Sequence, residues 1–191
     1  FIIAKYDELS RDKYPKKDCK YLCNVHKWCK IDGGDDMGFT IDDALREFKK
    51  NYKMTLLAGE DGCSNAMTWV QMVEDKTILQ QLWGKELVVT TGLGFQSQKK
   101  LKEFIEQLVK YHSVGLVINT GKYVFDIDQE IIDYCNELSF PLLVVPWEVH
   151  IADMIKDFSY HCLRAERDDK YINQTVMDTL INPAIIEESR N

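Results

Sequence analysis

Three apolar segments each stop at a small group of polar or aromatic residues suited to holding a ligand: Thr90-Thr91-Gly92, Asn119-Thr120-Gly121 and Pro146-Trp147. Hydroxyls and a carboxamide both donate and accept hydrogen bonds, and an indole offers a wall for a flat ring. Such a set can bind a small polar molecule without reacting with it. Turn chemistry is the competing explanation, because Thr and Gly also end strands for reasons of backbone alone. Glu86, at the head of the first segment, is a further ligand candidate. A carboxylate at an edge or in a surface pair is the stronger reading, since a buried acid is costly.

Cys19, Cys23, His26 and Cys29 form the other chemical cluster, since thiolates and imidazole are the donors zinc takes. On a helix, however, Cys19 to Cys29 spans about 15 Å of axis, too far for one tetrahedral ion to gather all four side chains. With Leu22 they make an apolar stripe in which cysteine acts as a small hydrophobe. That stripe is the preferred reading, and no metal or cofactor is expected. Gly92-Leu93-Gly94 resembles a dinucleotide loop only in part: Ser97 stands at the third glycine's place, and Asn119 stands where an acid would hold the ribose. The chain has no P-loop, no nucleophile elbow and no zinc-protease helix. His112, His150 and His161 have no nucleophile beside them, so no catalytic residue is assigned.

The elements that must position these groups follow from periodicity. Thr40 caps a helix with Ile41, Ala44, Leu45 and Phe48 on one face. A strand near 54–57 follows, then Asp61-Gly62 marks a turn. Residues 67–73 alternate with both faces mostly apolar, which reads as an internal strand. From there the pattern is strand 86–90, helix 97–112, strand 115–119, helix 128–138, strand 141–145. Leu101, Phe104, Ile105 and Leu108 form the first helix's buried stripe, and Ile131, Ile132, Cys135 and Leu138 the second's. Strand starts at 86, 115 and 141 leave room for a helical crossover each time, which implies parallel neighbours and right-handed connections. The expected fold is α/β, a mainly parallel sheet with an N-terminal helical extension and a C-terminal helix. Ile155, Phe158, Cys162, Ala165, Ile172 and Val176 repeat at helical spacing, interrupted by Asp169, so the tail is a long helix or a helix pair able to pack on the sheet or on a second copy.

Composition excludes some functions. Lys and Arg number 24 and Asp and Glu 31, giving 24 − 31 = −7, a charge that repels nucleic-acid backbones. Lys16-Lys17 and the lysines at 99, 100 and 102 are therefore read as solvated faces. No apolar run reaches the roughly 20 residues of a membrane span, and six cysteines are too few for a disulfide scaffold, so a cytoplasmic protein with reduced thiols is expected. The absence of an initiator methionine suggests a piece of a longer protein.

Several blocks taken together carry a resemblance. They are Leu56-Leu57-Ala58-Gly59-Glu60-Asp61-Gly62, Val70, Trp83-Gly84-Lys85-Glu86-Leu87-Val88-Val89-Thr90-Thr91-Gly92, Pro141-Leu142-Leu143-Val144-Val145-Pro146-Trp147 and Ala152-Asp153. Through them the chain resembles the N-terminal domain of the PucR-like (purine catabolism regulator) family of bacterial transcription regulators, over roughly residues 38–165. The resemblance implies a sensory or regulatory module placed before a central region and a DNA-binding helix-turn-helix that lies outside this chain. The expected divisions are a Cys/Lys-rich extension over 1–37, a sensory domain over 38–165 and a helical linker over 166–191. The expected function is capture of a small effector, purine-related or not, at the strand tips, with a homodimer as the assembly. The alternatives are an architectural dimerisation module without ligand, and an α/β enzyme.

Overall fold

The described residues order their elements as β1 (Phe39–Thr40), α1 (Ile41–Phe48), β2 (Thr55–Ala58), β3 (Ala66–Met67), β4 (Trp69–Met72), β5 (Glu86–Thr90), α2 (Gln98–Lys110), β6 (Gly115–Thr120), α3 (Gln129–Glu137), β7 (Leu142–Pro146) and α4 (Ile151–Ile181). The computed structural model describes residues 38–95 and 97–181, side chains excepted at 169 and 172–181. All of these belong to the second of the two units into which the chain divides, between Asp35 and Asp36. The Cys19, Cys23, His26 and Cys29 cluster, Lys16-Lys17 and the helix expected within 1–37 lie outside the described residues, as do the side chains of Ile172 and Val176.

Five strands form one sheet in the order β2-β7-β6-β5-β4. The three pairs β4–β5, β5–β6 and β6–β7 are parallel, and β2 closes the far edge antiparallel to β7. β1 and β3 make a separate antiparallel pair. The core is two-sided because β5, β6 and β7 are apolar on both faces, as parallel strands covered by helices must be. Leu87, Val89, Val117, Leu143 and Val145 pack toward α1 and α4, while Val88, Leu116, Ile118 and Leu142 pack toward α2 and α3.

Helix ends follow their capping chemistry. Thr40 and Asp43 form a reciprocal capping box at α1, and the Ser97 hydroxyl accepts from the Lys100 amide at 3.3 Å to open α2. Phe95, just ahead of that cap, stacks on Phe104 with 3.8 Å between ring centroids and fixes α2 to the loop that leaves β5. α4 is one unbroken helix of 31 residues, about 46 Å long. Its first turns are anchored by Met154, Phe158 and Cys162, and the rings of Phe39, Phe48 and Tyr52 lie 5.4–6.1 Å from Phe158. The Tyr52 hydroxyl donates to Asp157 at 2.5 Å.

Residues 67–73 depart from the internal strand that their pattern suggests. The segment breaks at Thr68, whose amide donates to the Lys85 carbonyl, and its second half becomes β4 at the open edge of the sheet. Val70 and Val73 are buried there, while Trp69 and Met72 are 41% and 40% exposed. Alternation could not distinguish the two cases, because an edge strand that carries large apolar side chains reads like an interior one.

Candidate functional site

Three parallel neighbours must end on one rim, and the register β5–β6–β7 puts Thr90 beside Ile118 and Thr120 beside Pro146. The loops confirm the convergence at atomic range. A β-carbon on Gly121 would sit 3.5 Å from that of Trp147, and one on Gly92 would sit 2.5 Å from a methyl of Val124, in the loop after β6. Gly92 also has φ +81°, a backbone state in which glycine is at ease and other residues are strained.

Much of the polar chemistry at this rim is spent on building it. The buried Thr90 hydroxyl donates to Glu74 Oε2 at 3.2 Å and accepts from the Gly92 amide at 3.0 Å, while the Thr91 amide donates to Glu74 Oε1 at 2.6 Å. Asn119, 2% exposed, donates through Nδ2 to the Pro146 carbonyl at 2.9 Å, and the Thr120 hydroxyl donates to the Val145 carbonyl at 3.3 Å. These bonds staple the tips of β6 and β7 together. The Gln98 side chain ties the next loop down, donating to the Asp126 carbonyl and accepting from the Asp128 amide.

The groups that face solvent are different ones. Trp147 is 40% exposed, Tyr123 meets it edge-on at 5.7 Å, and the Lys122 ammonium lies 4.6 Å over the indole and 5.2 Å over the phenol. A cation and two rings beside an exposed Gly121 can stack a flat molecule and attract negative charge on it. Glu86 is not part of this rim. It opens β5 at the opposite end of the strands, and its carboxylate accepts from the amides of Trp83 at 2.6 Å and Gly84 at 2.8 Å.

Glu74, Lys122, Tyr123 and Gln98 escape a reading of the sequence alone. Glu74 was within reach: in a parallel β4–β5 pair, with Met72 opposite Val89, the residue two beyond Met72 stands beside the Thr90-Thr91 tip. Lys122 and Tyr123 carried no motif and become visible only when the rim is assembled.

No cluster of three or more His, Cys, Asp or Glu suited to a metal occurs among the described residues. Their three cysteines, Cys63, Cys135 and Cys162, are buried, and burial raises their thiols from 9.0 to about 11, 12 and 12, which keeps them protonated and unreactive at neutral pH. His150 Nδ1 contacts Asp153 at 2.9 Å in the first turn of α4, and His161 packs on Phe39 near Glu47, so both serve the helix.

Residues 44–161, from α1 through the first third of α4, match the purine catabolism regulatory protein-like family. The chain belongs to this family. The purine catabolism regulatory protein of Bacillus subtilis (strain 168) is 31% identical over 109 residues, which is 56% of this chain and 20% of that relative. The chain thus covers about a fifth of the relative's length. Membership places it among regulatory proteins, and the matched region contains the whole sheet and every group of the rim.

Proposed function

We propose that this chain carries the sensing module of a larger cytoplasmic regulator. In this reading a small, flat metabolite with anionic or carbonyl oxygens rests on the rim, stacked on Trp147 and facing Lys122, with Thr91 and Gly121 at its edge. The observation that carries the reading is the Lys122 ammonium held over the half-exposed Trp147 ring where three strands end. The role is binding, not turnover.

The rim connects directly to α4. Trp147 precedes the helix by four residues, and the Val149 amide bonds the Pro146 carbonyl at 3.0 Å across the turn between them. A ligand that holds Trp147 in one position therefore favours one setting of α4, provided it binds that setting better than others. α4 passes the bias to a DNA-binding region outside this chain, in a homodimer. Because the Bacillus subtilis relative is named for purine catabolism, hypoxanthine, xanthine, urate and allantoin make the first panel. Calorimetric titration of the full chain should detect one of them or a close analogue, and Lys122→Ala and Trp147→Ala should each abolish the heat, with the exposed Lys122→Ala leaving the melting temperature unchanged. A panel of flat metabolites that leaves both heat and melting temperature unaltered would remove the sensing role.

An architectural role without ligand draws support from α4 itself, which exposes Tyr160 and Leu163 on the side turned away from Phe158. Sedimentation combined with the calorimetric panel distinguishes the two readings: a dimer that dissociates on Leu163→Asp, in a chain that takes up no compound of the panel, supports architecture.

A further inference from the structure

At the opposite end of the sheet from the rim, the segment between β4 and β5 folds a 3₁₀ helix, Lys76–Gln81, back over the outer strand and leaves a hollow of about 400 Å3. Trp69, Gln71, Ile78, Gln81, Trp83 and Glu86 line it. The volume lies in the range of small-molecule sites, roughly 300–1,000 Å3. Trp69 and Glu86 are register partners on β4 and β5, so both side chains leave the sheet on the same face.

Glu86 is the unusual member. The residue is only 7% exposed, and its carboxylate has two backbone amides for company but no ion pair among the described residues. A buried carboxylate without a counter-charge is costly, and two amide donors occupy only about half of its four or so lone-pair sites. Around it stand two indoles, Trp69 at 41% and Trp83 at 88% exposed, the side chains best suited to the face of a cation. Gln71 and Gln81 add carboxamides that can bond a ligand's N–H groups.

We infer that this hollow is a second binding site, specific for a small planar cation or amidine-like nitrogen compound, with Glu86 as counter-ion and Trp69 and Trp83 as walls. It is independent of the rim, which is cationic at Lys122 and selects the opposite charge. A ligand here would brace the β4 edge, against which α4 also packs.

The test uses the full chain labelled at tryptophan indoles, with benzamidine as the cationic probe and benzoate as its anionic counterpart of similar shape. Benzamidine should shift the indole N–H signals of Trp69 and Trp83 saturably and leave that of Trp147 in place, while benzoate should move neither of the first two. Glu86→Gln should weaken benzamidine by roughly tenfold or more, the loss of one charged hydrogen-bonding group. Because that change also touches the 83–86 loop, Trp69→Ala provides a second variant on the edge strand, and it should weaken benzamidine comparably while the indole N–H signal of Trp147 stays in place, which shows that the sheet remains folded. Equal response to benzoate, shifts at Trp147 instead, a concentration-dependent shift without probe that marks a second copy on the β4 edge, or no saturation by about 10 mM would each overturn the inference. A rim ligand that moves only Trp147 leaves the sensing role standing while this site fails, so the two outcomes remain separable.

Discussion

Replacing Glu74 by alanine removes the acceptor that joins the end of β4 to the tip of β5. Two hydrogen bonds disappear, from the Thr90 hydroxyl at 3.2 Å and the Thr91 amide at 2.6 Å. Bonds to a charged acceptor contribute about 1.5–3 kcal/mol each, toward the low end here because Glu74 keeps part of its surface in water. Thr90 is fully buried, so its hydroxyl would lose its acceptor without gaining water. The sum is about 3–4 kcal/mol, which for a domain of this size lowers the melting temperature by roughly 5–15 °C. Urea denaturation followed by circular dichroism should show a lower midpoint at unchanged slope. Glu74→Gln, which keeps one acceptor oxygen, should lose about half as much, and the Glu74→Ala and Thr90→Val pair should fall short of additivity by about 1 kcal/mol. Stability of Glu74→Ala within about 0.5 kcal/mol of the parent would refute the role given to this carboxylate.

Three further outcomes follow from the same coordinates. Gly92→Ala should cost about 2–4 kcal/mol in chemical denaturation, since the new methyl meets Val124 at 2.5 Å in a left-handed backbone. Phe158→Ala, in the ring cluster beneath α4, should lose about 3–5 kcal/mol, while exposed Leu163→Ala should stay within about 0.5 kcal/mol, as thermal melts would show. Stability should fall with rising pH above about 9: unfolded thiols lose their protons there, whereas Cys63, Cys135 and Cys162 keep theirs to about 11, 12 and 12, so the unfolded state gains by ionising first. Melts under reducing conditions from pH 7 upward should be level as far as these thiols are concerned until about pH 9 and then decline; a rise there would contradict the burial of the sulfurs.

The parallel centre was legible because β5, β6 and β7 are short, apolar on both faces and separated by helices with a single stripe, a pattern that few other folds satisfy. The convergence of Thr91, Thr120 and Trp147 followed from that topology. The edge position of β4 did not, because Trp69 and Met72 look like core residues to any hydropathy pattern, and only the lack of a further neighbour among the described residues shows otherwise. At the rim, residue type was a poor guide to availability: Asn119 and Thr120 have ligand-binding groups that the fold consumes, and the exposed cation, Lys122, looked like an ordinary surface lysine. Glu86 was a ligand candidate at the head of the first segment, and the five residues of β5 carry it about 13 Å from the tips. The repeat through Ile155, Phe158 and Cys162 faces the sheet, so Phe158→Asp would unfold the domain where a test of self-association needs Leu163 or Tyr160.

Amide hydrogen exchange on the full chain, with and without urate, xanthine or whichever compound of the panel binds, tests the sensing role most directly. Protection should rise together in residues 90–95, 119–124 and 146–150 and extend into the first turns of α4. Binding that protects only other segments, or protects the rim and leaves α4 unchanged, would contradict the account.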